Sequence, residues 1–205
     1  MYTNCSGDNM KQNIIFKRLM AFMIDMLIVS LIVSLVLTGK DTSINEKRSR
    51  ELMKVINDYS SEKITMDEYL DKYSGILYEI NEDNYNENVV YLIVSIGYFL
   101  VFQYLNKGAT IGKSLMKIRI VAKKKKTVSL WQLLIRVSLV NEILAMVLLL
   151  LLVKTSSGIP FLIGYGLVSL ARNIIVVVCG IVMFIRKDNK GIHDIISDSE
   201  VIYDK

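Results

Sequence analysis

The stretch that decides the fold is Leu19-Met-Ala-Phe-Met-Ile-Asp25-Met-Leu-Ile-Val-Ser-Leu-Ile-Val-Ser-Leu-Val-Leu-Thr38, which contains a single charged residue, Asp25. A helix needs about 20 predominantly apolar residues to span a bilayer. Lys11, Lys17 and Arg18 precede the stretch, as they would precede the core of a signal peptide. The apolar part is longer than the roughly 7–15 residues of a signal sequence, however, and no small-residue cleavage site follows it. It therefore predicts a retained transmembrane helix.

Three further stretches are apolar enough to form membrane spans, namely residues 89–105, 137–153 and 161–185. The sequence does not fix the first residue of the third span, 137–153, because its apolar character extends back toward Trp131. The chain is 52% hydrophobic and 22% charged, so its charged and apolar residues must be segregated along the sequence. Over its 205 residues we expect a single domain, an all-α membrane protein built as a four-helix transmembrane bundle.

The charges of the connections predict the orientation of the bundle. Segment 106–129 contains eight Lys and Arg and no acidic residue, whereas segment 39–88 contains seven basic and twelve acidic residues. Short basic loops stay in the cytoplasm, and long acidic ones can be translocated. Both termini and segment 106–129 are therefore expected in the cytoplasm, and segments 39–88 and 154–160 outside.

The long external segment, 39–88, carries the pattern of two short amphipathic helices. Leu52, Val55, Ile56 and Tyr59 recur at helical spacing, and Thr65-Met-Asp-Glu68 is a capping box that predicts the start of the second helix. Two roles remain open for this segment, a cap over the outer mouth of the bundle and a lid that binds a ligand or partner.

The cytoplasmic segment, 106–129, carries weaker signals of a small sheet. A short interfacial helix over 112–117 precedes an alternating stretch, 118–122, that is typical of a strand. Residues 127–130 could return as a second strand in a β-hairpin, with Ser129 capping the next helix, and residues 200–203 could add a third strand.

Most of the polar motifs exclude functions rather than suggest them. One His and two distant Cys, Cys5 and Cys179, exclude a His-triad hydrolase, a multi-histidine metal site and a disulfide framework. The sequence Gly108-Ala-Thr-Ile-Gly112-Lys-Ser has three residues between its glycines, where a phosphate-binding loop needs four. We expect no enzyme activity, no metal and no cofactor. The run Lys123-Lys124-Lys125-Lys126 is expected to meet anionic lipid rather than nucleic acid.

The informative residues are the charges at membrane depth: Asp25, Glu142 and Arg172. Each unpaired charge at the centre of a transmembrane helix costs at least about 2.5–3.5 kcal/mol, so each should have a partner or a watery cavity. Arg136 or Arg172 would neutralise Asp25 or Glu142. A structural ion pair and a proton or cation site are both consistent with this pattern.

Three motifs, in order along the chain, resemble those of the RDD family of membrane proteins. They are Phe16-Lys-Arg18-Leu-Met-Ala-Phe-Met-Ile-Asp25, Gly108-Ala-Thr-Ile-Gly-Lys-Ser-Leu-Met-Lys-Ile-Arg-Ile-Val121 and Lys190-Gly-Ile-His-Asp194. The family is named for one Arg and two Asp, which match Arg18, Asp25 and Asp194 here. The resemblance implies a multi-pass protein of the bacterial cell membrane, in a largely uncharacterised family for which transport, including cation/proton exchange, has been suggested.

Two functions follow as hypotheses. The first is a small transporter, a homo-oligomer because four helices leave little room for a pathway, in which Asp25 binds a proton or cation together with Glu142. The second is a membrane scaffold that binds a partner protein without transporting anything. The candidate ion-binding or motif residues are Arg18, Asp25, Glu142, Arg172 and Asp194.

Overall fold

The computed structural model describes residues 5–39, 43–123 and 127–204, with side chains from residue 14 onward. Within this part of the chain, three helices are long and apolar enough to cross a membrane, and a pair of bent helices can form a fourth span. The predicted all-α membrane protein with up to four spans is therefore confirmed.

The first span is the apolar part of α1 (Cys5–Val36). Ala21, Asp25 and Val29 are all buried, and their spacing of four residues places them on one face of the helix. Large apolar side chains on the other faces are exposed: Leu27, Leu31 and Leu35. An inward face with one charge and an outward face of leucines is the arrangement expected of a helix surrounded by lipid.

The second span, Tyr85–Leu105, has three parts: α4 (Tyr85–Ile96), a π-helical segment (Gly97–Phe102) and α5 (Gln103–Leu105). It starts before the predicted residue 89 because the preceding helix ends at Asp83 and the chain enters α4 almost directly. The π-helical segment directs two aromatic residues inward. These residues, Tyr98 and Phe99, form the main hydrophobic core with Val29 and Val137.

The third span is not the continuous helix predicted over 137–153. It is broken into α7 (Leu130–Val140) and α8 (Ile143–Thr155), which meet at an angle of 66°. Glu142 lies between them in the left-handed region, with φ of 60°. The amide of Asn141 ends α7 by donating to the Val137 carbonyl at 3.0 Å. The break was not predicted, because the polar pair Asn141 and Glu142 interrupts a run whose overall hydropathy is high. The fourth span is α9 (Gly158–Ile185), as predicted but beginning slightly earlier than residue 161.

Two amphipathic helices, α2 (Ser43–Ser60) and α3 (Met66–Asp83), form a hairpin at one end of the bundle. Both were predicted, and so was the capping box: the Glu68 amide donates to Thr65 Oγ1 at 3.3 Å, and the Thr65 amide donates to Glu68 Oε2 at 2.9 Å. Helix α3 packs along α9, so the hairpin rests on the bundle. We call this end the hairpin side.

At the opposite end, which we call the sheet side, β1 (Ile118–Ala122) pairs antiparallel with β2 (Ser199–Tyr203), so that Ile120 lies opposite Val201. Two short helices lie beside the sheet, α6 (Ile111–Leu115) and α10 (Ile192–Ile196). The predicted strand in the C-terminal tail is therefore confirmed.

The prediction that residues 127–130 pair with β1 as the second strand of a hairpin is wrong, because they form no strand. The predicted cap is confirmed: Ser129 caps α7 and forms a capping box with Gln132, which fixes the backbone at the start of a helix rather than in a strand. Lys123 lies next to the sheet, where its amide donates to the Asp198 carbonyl at 3.1 Å. Lys124, Lys125 and Lys126 of the proposed lipid-binding run lie outside the described residues.

Candidate functional site

Asp25 lies in the middle of α1 and is only 1% exposed. Its Oδ1 accepts hydrogen bonds from the Tyr98 hydroxyl at 2.6 Å and the Gly112 amide at 2.8 Å, and its Oδ2 accepts one from the Thr110 hydroxyl at 2.6 Å. We call these four residues the Asp25 site. No described cation lies within ion-pairing distance of the carboxylate, so its hydrogen-bond partners among the described residues are all neutral donors.

The local sequence around α6 explains how these donors reach Asp25. Thr110 is the N-cap of α6, which leaves its hydroxyl hydrogen free for the carboxylate, and the Gly112 amide belongs to the first turn of the helix. Gly112 has to lack a side chain, because a Cβ there would lie 2.3 Å from the Ala21 carbonyl oxygen of α1. Gly108 has φ of 93°, and a Cβ there would strike the backbone of β1. The two glycines thus serve close packing.

A second buried carboxylate, Asp194 of α10, lies on the sheet side. Arg18 donates to its Oδ2 at 2.5 Å, the Gly191 amide donates to the same oxygen at 2.9 Å, and Arg136 donates to Oδ1. Arg18 also donates to the Asn189 carbonyl at 2.7 Å and lies 3.0 Å from His193 Nε2. We call Arg18, Arg136, His193 and Asp194 the Asp194 cluster. It ties the start of the first span and the broken third span to the C-terminal segment.

The electrostatics of the Asp194 cluster favour an ionised Asp194 beside a neutral His193. Burial acts to raise the pKa of Asp194, but the charges of Arg136 and Arg18 outweigh it and hold that pKa well below its ordinary value. Burial, together with the Arg136 charge, lowers the pKa of His193 to about 3, although Asp194 opposes this. The neutral ring then accepts a hydrogen bond from Arg18 at Nε2 and carries its proton on Nδ1.

The break between α7 and α8 holds the third charged group. Arg172 of α9 donates to Glu142 Oε2 at 3.2 Å, and this pair is only partly buried. The Glu142 side chain is 43% exposed, in contrast to the buried Asp25 and Asp194. Arg172 Nε is buried and has no hydrogen-bond partner among the described residues. The charges at the break are therefore incompletely satisfied.

Two cavities of about 230 Å³ each lie on either side of this break. The sheet-side cavity is lined by residues of the Asp194 cluster and by Asp25 and Lys113. The hairpin-side cavity is lined by Glu142, Arg172 and two asparagines of the hairpin side, Asn81 and Asn88. Asn141 lines both cavities, so the break is the point at which the two approach each other.

The five predicted site residues separate into three places. Arg18 and Asp25 line the same cavity, but Arg18 pairs with Asp194. Of the ion pairs that the sequence left open, Glu142 with Arg172 is formed, and Arg136 neutralises Asp194 rather than Asp25 or Glu142. Asp25 and Glu142 therefore line different cavities.

Three residues of these sites were not predicted from the sequence. Tyr98 and Thr110 are neutral donors to Asp25, and Lys113 is a cation that lines the sheet-side cavity. Thr110 stands at an N-cap position before Ile111, which is the signal that could have identified it. The role of Tyr98 could not be read from its neighbours, because the span contains several tyrosines and phenylalanines.

The comparisons with known proteins agree with this architecture. The model of the RDD family matches residues 14–198, a range that includes Asp25, the Asp194 cluster and the helix break. No curated protein and no solved structure matches the chain. Among the described residues, no group of three or more His, Cys, Asp or Glu side chains could hold a metal ion.

Proposed function

This chain belongs to the RDD family of membrane proteins, and from the geometry of its bundle we propose that it moves a small ion or solute across the membrane, with cation/proton exchange as the reaction. The observation that carries the proposal is the approach of two cavities at a broken helix, where Glu142 presents a partly exposed carboxylate. Discontinuous helices with free polar groups near the middle of the membrane are common at the binding sites of secondary transporters.

Glu142 suits proton exchange better than Asp25 does. Asp25 accepts three hydrogen bonds on its two oxygens, all from donors held by backbone or by packed side chains, so both oxygens are already engaged within the fold. Glu142 has one side-chain partner among the described residues, Arg172, and lines a cavity. In this proposal, protonation of Glu142 releases Arg172, and the charge of Arg172 then changes the affinity of the hairpin-side cavity for its ion.

The proposal includes the setting of the protein. The basic loop and both chain ends would lie in the cytoplasm of a bacterial cell, and the helical hairpin outside, as the positive-inside rule suggests. Arg18 contacts Asn189 at 2.7 Å, which brings the start of the first span and the end of the fourth to the same side. Because one bundle offers little room for alternating access, we further propose that the protein works as a homo-oligomer. We also propose that it has no enzymatic activity.

The test is exchange in proteoliposomes loaded with a pH-sensitive dye, with Na⁺ or K⁺ added outside. Glu142→Gln removes the titratable group and keeps the shape of the side chain, so cation-dependent proton movement should fall to the level of empty liposomes. The control is Glu46→Gln, which makes the same change on the exposed surface of the hairpin and should leave exchange unchanged. Unchanged exchange in Glu142→Gln would exclude Glu142 from the mechanism.

A second function, a membrane scaffold, is favoured by the surface of the hairpin. Helices α2 and α3 expose large apolar side chains that a partner could cover: Ile44, Met53 and Met66. If this function is correct, a stoichiometric partner should co-purify with the full chain and be lost when residues 44–86 are deleted. Wild-type protein in proteoliposomes should then show no cation-dependent proton movement at all.

A further inference from the structure

The sheet-side cavity has an excess of positive charge. Three cations line it, Arg18, Lys113 and Arg136, whereas Asp25 and Asp194 supply the nearby negative charges. One positive charge therefore has no counterpart among the described residues. In a cavity with largely apolar walls, such a charge attracts an anion more strongly than it would at the surface.

Lys113 is the cation that has no counterion within ion-pairing distance among the described residues. Arg18 and Arg136 both donate to Asp194, but the Lys113 ammonium makes no hydrogen bond or close ion pair with any described residue. Burial, opposed by Asp25 and assisted by Arg136 and Arg18, lowers the pKa of Lys113 to about 8. Nearby in the cavity wall, His193 Nδ1 is buried and has no partner among the described residues. Both groups can donate hydrogen bonds to a ligand.

The rest of the cavity wall is apolar and belongs to helices that do not pack closely together. Helix α1 packs on α4 and α6, and α9 packs on α3 and α8. Between α1 and α9 lies the cavity, with Phe22 on one helix and Val176, Gly180 and Met183 on the other. A volume of about 230 Å³ exceeds the roughly 150 Å³ of an apolar cavity that holds benzene. A hydrocarbon chain can therefore accompany a charged group into this space.

We propose that the sheet-side cavity binds an amphiphilic anion, with a phosphate or carboxylate head at Lys113 and a hydrocarbon chain between α1 and α9. The two possible sources of this chemistry are an anionic phospholipid of the surrounding leaflet and a free fatty acid. The site is separate in sequence from the lysine run at 123–126, and it requires a chain as well as a head.

This inference does not depend on exchange at the helix break, because binding is measured without any ion gradient. Purified protein in a neutral maltoside detergent would be titrated with phosphatidylglycerol, oleate, phosphatidylcholine or inorganic phosphate. Native mass spectrometry would count bound molecules, and thermal unfolding would report affinity. We expect one bound phosphatidylglycerol or oleate per chain, and no saturable binding of phosphatidylcholine or inorganic phosphate. The anion that binds more tightly identifies the source.

Two variants test the two ends of the site. Lys113→Gln removes the cation and should weaken binding about tenfold or more, the effect of losing one charge-assisted hydrogen bond. Lys117→Gln makes the same charge change in the same connection at a residue that does not line the cavity, and should bind as wild type does. Lys113 has no hydrogen bond or close ion pair among the described residues, and burial opposes its charge, so its replacement should not lower the unfolding temperature of the ligand-free protein.

At the apolar end, Gly180→Leu fills the cavity, because a side chain at Gly180 has open space before it. It should prevent binding, whereas Gly166→Leu, in the same helix and away from the cavity, should not. Equal binding by Lys113→Gln and wild type would overturn the proposal. So would stabilisation by inorganic phosphate as strong as that by phosphatidylglycerol, since the head alone would then suffice.

Discussion

Charged side chains are hydrogen-bonded differently on the sheet side of the bundle and at the break between α7 and α8. On the sheet side, Asp25 and Asp194 are each 1% exposed, and each accepts three hydrogen bonds. The donors belong to other elements, except for the Gly191 amide at the N-cap of the helix that carries Asp194. At the break, Glu142 has one side-chain partner among the described residues, and Arg172 retains a buried nitrogen with none there. The two sheet-side carboxylates are therefore saturated with hydrogen bonds, and Glu142 is not.

The difference indicates separate roles for charges that look alike in the sequence. A carboxylate whose hydrogen-bonding capacity is filled by the fold stabilises that fold. A carboxylate with few partners, beside a cavity, is free to interact with a ligand. We therefore assign Asp25 and the Asp194 cluster to the assembly of the sheet side, and Glu142 remains the residue at which we propose exchange.

The largest expected effect comes from Asp194→Asn. This substitution leaves the buried charges of Arg18 and Arg136 without a counterion, which should lower the free energy of unfolding by about 3–5 kcal/mol. The measurement is thermal or denaturant unfolding in detergent, followed by circular dichroism. As a control, Asp188→Asn breaks an exposed ion pair with Arg186 and should change stability little. Similar losses in both variants would remove the distinction between saturated and exposed pairs.

A smaller loss is expected when α6 is pushed away from α1. Gly112→Ala places a Cβ 2.3 Å from the Ala21 carbonyl oxygen, so α6 must shift and the Gly112 amide must leave Asp25. We expect a loss of about 1–3 kcal/mol. Gly75→Ala in α3 adds the same methyl group where nothing lies within 4 Å, and should be neutral or slightly stabilising. If Gly112→Ala were as stable as Gly75→Ala, the close contact would not restrain the Asp25 site.

The smallest effect concerns pH and His193. In the folded protein the pKa of His193 is about 3, against 6.5 for the ordinary side chain. The unfolded chain therefore binds one more proton between these values, and the free energy of unfolding decreases as the pH falls below 6.5. Between pH 6.5 and 5.5 this contributes about 1 kcal/mol. In His193→Gln the unfolding temperature should fall less steeply over that interval, and an unchanged slope would contradict a neutral buried His193.

Much of the fold could be predicted from the sequence because its signals are local. The apolar runs gave the spans, the capping box at Thr65 placed α3, and the alternation at 118–122 and 200–203 predicted the two strands that pair. The break at Glu142 was missed because mean hydropathy over a window hides one pair of polar residues. The false strand at 127–130 arose because alternation and an N-cap signal overlap around Ser129.

The site was less predictable because its contacts join residues that are far apart in the chain. The sequence identified which charges lie at membrane depth, and the pair of Glu142 with Arg172 is one of the pairings that it left open. It could not place Asp194 between Arg18 and Arg136, since that contact depends on how the C-terminal segment folds back. Nor could it show that neutral donors satisfy Asp25, because Tyr98 and Thr110 come from two different elements.

The most direct test of these roles compares Asp25→Asn with Glu142→Gln in the same preparation, measuring both unfolding temperature and proton exchange per folded protein. Both variants remove one carboxylate charge at membrane depth. Asp25→Asn should lower the unfolding temperature, because the charge is lost and one of the two acceptor oxygens becomes an amide nitrogen that cannot accept a hydrogen bond. The folded fraction should still exchange protons. Glu142→Gln should unfold at the wild-type temperature and lose exchange. The opposite pattern, with exchange lost in stable Asp25→Asn and retained in Glu142→Gln, would contradict the account.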